Sequence, residues 1–232
     1  MGGLRKDIQM IDSDTLASRG FAVTPGLIGP AECRALAALW PEKPRFRSHV
    51  VMQRHGFGQG EYQYFAYPLP ERIEALRQAL YPELAAVANR WNAELGLAGR
   101  FPPSLQAWLK QCHAGGQKRP TPLLLRYGPG DYNCLHRDLY GDLVFPIQAT
   151  ILLSEPRRDF EGGEFMLVEQ RPRMQSRGEV VPLRQGDAVI FAVNERPVKG
   201  TRGFYRTAMR HGVSSLHEGE RFTLGIIFHD AA

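Results

Sequence analysis

Cysteine is scarce in this chain: Cys33, Cys112 and Cys134 are the only three in 232 residues, far apart and without a C-x-x-C pair. An odd number so spaced is not a disulfide framework and points to a reducing compartment. No run of about eighteen apolar residues occurs, so no membrane span is expected. Residues 1–11 lack the apolar segment of a signal peptide, which makes a cytoplasmic enzyme the expectation. There is no internal repeat and no low-complexity tract. Charged residues are 23% of the chain and hydrophobic ones 43%, a balance that excludes wholesale disorder.

Glycine and proline, by contrast, are plentiful at 24 and 17 residues, as in a turn-rich fold of many short strands. The net charge of +5 and pI near 9.3 lean toward polyanionic partners, although many basic proteins bind no nucleic acid. The length fits a single domain over 1–232.

Helical signals dominate up to about residue 120. The polar first twenty residues read as a lead-in helix and Gly20–Val23 as a short strand. A helix opens at Gly29-Pro30 and runs to Trp40, stopped by Pro41 and Pro44. Residues 69–97 carry apolar side chains at Ile73, Leu76, Leu80, Leu84, Val87 and Trp91, with Pro82 expected to divide the stretch into two helices. A further helix is expected over Ser104–Cys112. From Thr121 the texture changes to short apolar runs at Leu123–Leu125, Phe145–Leu153, Glu164–Leu167, Ala188–Ala192 and Phe222–Phe228, separated by Gly-rich turns. The pattern predicts an α+β chain, with an α-rich support over 1–120 packed on a β-barrel over 121–232.

His136 and Asp138 stand two apart, so on a strand they face the same side. An isolated pair of this kind is commonly a surface His beside a solvated Asp. Here His211 is a natural third ligand from another strand, and two His with one carboxylate leave coordination positions open on non-haem iron(II). Ten residues later Arg221 and Thr223 lie in the apolar run Arg221–Ile227. A guanidinium inside a buried strand needs an anionic partner, and its planar fork suits a carboxylate. On the strand after the His-x-Asp pair, Gln148 and Thr150 alternate with Ala149 and Ile151. One set faces the cavity, and the polar pair suits a site better than an apolar outer face. Cys134 reads as a buried structural thiol.

The order Tyr127-x-x-Gly130 (within Tyr127–Asp138), His136-x-Asp138, Gly162-Gly163-Glu164, Gly186-Asp187-Ala188, His211 and Arg221-x-Thr223 resembles the 2-oxoglutarate/iron(II) oxygenases of prolyl-hydroxylase type, over residues 123–229. The resemblance implies a double-stranded β-helix, a jelly-roll or cupin-like barrel, buttressed by N-terminal helices. It implies Fe(II) on His136, Asp138 and His211, and 2-oxoglutarate on Arg221 with help from Thr223 and Tyr127. It implies O2 as oxidant, ascorbate as an accessory reductant, and hydroxylation of a C–H bond with release of succinate and CO2.

Two segments outside this shared core are candidates for choosing the substrate. In 45–67, basic Arg47 and His49 interleave with aromatics such as Tyr64, which suits phosphates and bases or an ordinary solvated strand. The long connection from Asp187 to His211 reads as a basic loop at the cavity mouth, carrying Arg196, Lys199, Arg202, Arg206 and Arg210 against Glu195. The stretches Phe46–His49, Gly58–Tyr62 and Asn194–Pro197 also resemble bacterial oxygenases proposed to act on damaged or alkylated nucleic acid. That resemblance implies oxidative demethylation of a flipped or single-stranded base. A prolyl or other protein side-chain hydroxylase is the alternative, and a metal- and 2-oxoglutarate-binding sensor the non-enzymatic one.

Overall fold

The structure, a computed structural model, describes residues 11–232. In chain order it contains α1 (Ser13–Arg19), β1 (Phe21–Thr24), α2 (Pro30–Ala37), β2 (Phe46–Val51), β3 (Gly58–Gln59), β4 (Glu61–Phe65), α3 (Glu71–Glu94) and α4 (Leu105–Ala114). There follow β5 (Leu123–Tyr127), β6 (Tyr132–His136), β7 (Ile147–Leu152), β8 (Phe160–Gly162), β9 (Phe165–Gln170), β10 (Arg177–Val181) and β11 (Ala188–Ala192). The chain closes with β12 (Glu195–Gly200), β13 (Gly203–Val213), β14 (Leu216–Gly219) and β15 (Arg221–Ile227). Of the expected lead-in helix, α1 is present, and residues 1–10 lie outside the described residues.

Two antiparallel sheets carry the fold. A seven-stranded sheet runs β1-β11-β7-β15-β5-β4-β2, and a second runs β10-β9-β13-β6-β3 with β12 paired to β13. The strand alternation sorts side chains to two destinations. On β7 and β15, Ala149, Ile151, Leu224 and Ile226 enter the main core with Leu76, Leu80, Leu84 and Trp91 of α3. Their neighbours Gln148, Thr150, Thr223 and Gly225 line a cavity on the other face of the sheet. This is the period-2 pattern of a sheet whose two faces do different work.

Two expectations need correction, on Pro82 and on the segment 187–211. Pro82 does not divide α3, which continues for 24 residues through it. Burial of Ile73, Leu76, Leu80, Tyr81, Leu84, Val87 and Trp91 along one face outweighs the roughly 3 kcal/mol an internal proline costs. The strand expected at Gly20–Val23 is present as β1, and the segment 45–67 supplies β2, β3 and β4. β1 extends one edge of the large sheet, β4 and β2 extend the other, and β3 pairs with β6. The segment 187–211 is not a loop but β11 followed by the β12–β13 hairpin, paired from Glu195↔Ala208 to Gly200↔Gly203.

Candidate metal centre

His136 ends β6 and His211 lies directly opposite it on β13, so the ladder itself brings the two imidazoles side by side. Their ring centroids are 4.2 Å apart. Asp138 lies just past the end of β6, and its carboxylate reaches both rings: Oδ1 is 3.4 Å from His136 Nε2 and Oδ2 is 3.3 Å from His211 Nε2. One ligand atom from each residue lies within 4.8 Å of the other two, which is compatible with a single shared ion.

The surroundings prepare these groups for a cation. His136 Nδ1 donates to the Cys134 carbonyl at 2.7 Å, which leaves Nε2 free to face the site. The rings of Phe191 and Phe165 flank His211 at 4.6 and 6.0 Å and fix its plane by packing. Burial acts to raise the Asp138 carboxyl, but hydrogen bonds and charge from His136 and His211 hold it well below the usual carboxylate range. Burial pulls the His211 imidazole down, against the Asp138 contact. For His136, the hydrogen bond and charge of Asp138 outweigh burial and raise it. Two imidazole nitrogens and one carboxylate on one side of an ion form the donor set of non-haem iron(II) sites, so these residues fit Fe(II).

The cavity beside the triad measures about 190 Å³, and Tyr127, Gln148, Thr150, Arg221 and Thr223 all line it. Arg221 is 1% exposed, and its Nε and Nη1 have no hydrogen-bond partner among the described residues. Its guanidinium lies 5.5 Å from the Tyr127 ring and 5.8 Å from that of Phe160, and burial lowers its pKa to about 10. Gly163 gives it room: a Cβ there, at φ +62°, would come within 3.0 Å of Arg221 Cδ. A buried cation with unsatisfied donors, in the cavity that holds the triad, fits the distal carboxylate of 2-oxoglutarate. A larger cleft of about 720 Å³ opens on the other side of Arg221, between 155–165 and 181–184, and contains no member of the triad.

The other residues singled out in the sequence lie away from this cavity. Arg47 stacks over Tyr64 at 4.4 Å, and its Nε donates to the Pro120 carbonyl. His49 is exposed and bound to Glu61. Arg206 pairs with Glu195 on the face of β13 opposite His211, and Arg202 is exposed in the hairpin turn. Arg196 is buried against Glu169 and the Ser18 carbonyl, so it belongs to no basic rim. Cys134, expected to be buried, is exposed. Sequence reasoning passed over Tyr140, whose hydroxyl donates to Asp138 Oδ1 at 2.8 Å. It also passed over Asn133, whose amide reaches the Tyr127 hydroxyl at 3.4 Å. Alternation did not mark Asn133, which lies three residues before His136 and would face the opposite side; an irregularity in the β6–β13 register accompanies the arrival of both at the cavity. Tyr140 lies in an irregular turn, where no periodicity marks it.

Residues 60–231 match a family described as "Oxygenase, catalysing oxidative methylation of damaged DNA". The chain belongs to this oxygenase family. Two Mycobacterium tuberculosis proteins from different strains, both described as uncharacterised, are each 53% identical to the oxygenase over 72% of either chain. Solved structures place its fold among the 2-oxoglutarate/Fe(II) oxygenases. A Trichoplax adhaerens prolyl hydroxylase, in complex with a hypoxia-inducible-factor peptide fragment, is 14% identical over 92% of this chain and 84% of its own, with a TM-score of 0.55. A Burkholderia pseudomallei oxidoreductase of the 2-oxoglutarate/Fe(II) oxygenase family is 15% identical over 95% and 91%, with a TM-score of 0.53. The expected double-stranded β-helix and oxygenase class are thus borne out. An oxidoreductase that uses Fe(II) and 2-oxoglutarate is the activity class of this family and fold.

Proposed function

We propose that the oxygenase hydroxylates alkyl groups on damaged nucleic acid, with His136, Asp138 and His211 holding Fe(II) and Arg221 holding 2-oxoglutarate. When bound, that pair supplies the oxidative chemistry, in which decarboxylation of the oxo acid by O2 is coupled to insertion of one oxygen into a C–H bond. The residues do the rest. Arg221 takes the distal carboxylate on its two free nitrogens, and Thr223 and Tyr127 lie beside it in the same cavity. Gln148 Oε1, buried and without a partner, faces the same space with Thr150. The apolar walls from Leu123, Leu125, Phe165 and Val213 exclude bulk water. Hydroxylation of an N-methyl group yields a hemiaminal, which releases formaldehyde and restores the base.

The observation that carries the activity is Arg221, a buried guanidinium in the cavity of the metal ligands with no hydrogen-bonded carboxylate among the described residues. The family description and the net charge of +5 support the choice of substrate. Anaerobic Fe(II) with 2-oxoglutarate should give a visible charge-transfer band that His136→Ala abolishes. Aerobic turnover of an N-methylated single-stranded oligonucleotide should release succinate and formaldehyde in step. A band with peptide-dependent, oligonucleotide-independent succinate release would move the substrate to a protein side chain. Absence of any band would leave a folded barrel without the activity.

A further inference from the structure

The metal cavity is small. At about 190 Å³ it falls below the roughly 300–1,000 Å³ of clefts that enclose a whole ligand, and it must also hold 2-oxoglutarate. Only the reacting tip of a substrate can enter, so recognition has to occur at the rim. Phe57 is the rim's flat surface. It lines the cavity and yet is 49% exposed. Its ring stacks on His55 at 5.3 Å and 22°, and no second aromatic ring pairs with it among the described residues.

This surface is held in register with the metal ligands. The Phe57 carbonyl accepts from the Cys134 amide at 2.9 Å, two residues before His136. The next residue, Gly58 at φ +127°, lets β3 close on β6, since a Cβ there would meet the Tyr132 carbonyl at 2.4 Å. Arg137, between the two ligands of β6 and its extension, lines the same mouth. Arg45, Arg126 and Arg206 are each neutralised by a glutamate. Arg137 instead donates to a neutral amide, Asn194 Oδ1, at 3.1 Å, and forms no ion pair among the described residues. An exposed aromatic ring beside such a guanidinium matches the two things a nucleotide offers, a base to stack and a phosphate to neutralise.

We infer that Phe57, backed by His55, is the stacking platform for an unstacked nucleobase of single-stranded nucleic acid, with Arg137 on its phosphate. This rests on the nucleic-acid reading above. The test is binding of a fluorescent N-methylated single-stranded oligonucleotide to the Mn(II)- and 2-oxoglutarate-loaded protein across a salt series. Phe57→Ala should weaken binding about tenfold or more at fixed salt without changing the salt slope, and Phe57→Trp should restore it. Arg137→Gln should reduce the slope of log affinity against log salt by about 0.7. If wild-type binding is salt-sensitive and Phe57→Ala binds equally well, the platform is refuted while the nucleic-acid reading stands. If Phe57→Ala loses Mn(II) affinity together with the oligonucleotide, Phe57 is a support of the metal strand and the platform is again refuted. If the wild type shows no salt-sensitive binding, the nucleic-acid reading falls and the platform with it.

Discussion

Arg77 and Arg221 are the most deeply buried arginines among the described residues, and they are sealed differently. Arg77, on α3, is 0% exposed, and each of its three guanidinium nitrogens has a hydrogen-bond partner. It donates to the Ile227 and His229 carbonyls, to the Tyr67 hydroxyl and to Asp230 Oδ1 at 2.8–3.2 Å. Asp230 in turn accepts from Tyr67 and is contacted by His113. Arg221 is almost as deeply buried, but two of its nitrogens have no hydrogen-bond partner among the described residues. The first arrangement ties the chain's end to the long helix. The second leaves a charge offset only by ring contacts with Tyr127 and Phe160 and by the charge of Glu164, with no hydrogen-bonded carboxylate among the described residues, which is the condition of a site built for an anion that arrives from outside.

Replacing each arginine by methionine should separate these roles most sharply. Arg221→Met should weaken 2-oxoglutarate binding at least about a hundredfold, measured by calorimetry with Mn(II), while the unfolding midpoint holds or rises. Arg77→Met should do the reverse. It removes the buried guanidinium partner of Asp230, leaving Tyr67 and His113, and should cost about 3 kcal/mol in denaturant unfolding, with 2-oxoglutarate affinity kept in the folded fraction. Equal loss of stability in both variants would dissolve the distinction.

The Arg77 end of the molecule also has a pH signature. Burial drives His229 down to about 4, and its Nδ1 accepts from the Phe145 amide at 3.2 Å. A histidine whose folded pKa is depressed below 6.5 takes up its proton more readily when unfolded. Its contribution is therefore complete above pH 6.5 and declines as pH falls through about 4. The decline should approach roughly 3 kcal/mol, and His229→Gln should flatten it in unfolding curves between pH 7 and 4. The smallest effect belongs to the metal end. Tyr140→Phe keeps the ring but removes the hydrogen bond to Asp138, and should weaken Mn(II) binding about tenfold with no change in helical content by circular dichroism.

Much of the site was legible in the chain because it depends on short-range rules. A two-residue spacing puts His136 and Asp138 on one side wherever β6 leads, and an arginine in the apolar run Arg221–Ile227 signals a buried charge in any fold. The same alternation separates Gln148 and Thr150 from Ala149 and Ile151. Spacing alone misjudged the segment before His211. Its arginines look alike in one dimension, yet Arg196 is buried on Glu169, Arg206 faces outward on Glu195, and Arg202 sits in a turn. Pro82 was misread for a related reason, since the local cost of a proline is visible in sequence and the packing that offsets it is not.

The sequence by itself thus determined the kinds of group available and their local facing, through the pleat of the strand and the turn chemistry of glycine. The tertiary structure alone decided convergence. The β6–β13 register sets His211 opposite His136, the turn after β6 swings Tyr140 onto Asp138, and the pairing of β3 with β6 holds Phe57 over the mouth. These contacts join residues that are distant in the chain or lie in irregular turns. They follow from sheet register and close packing, which no local pattern encodes.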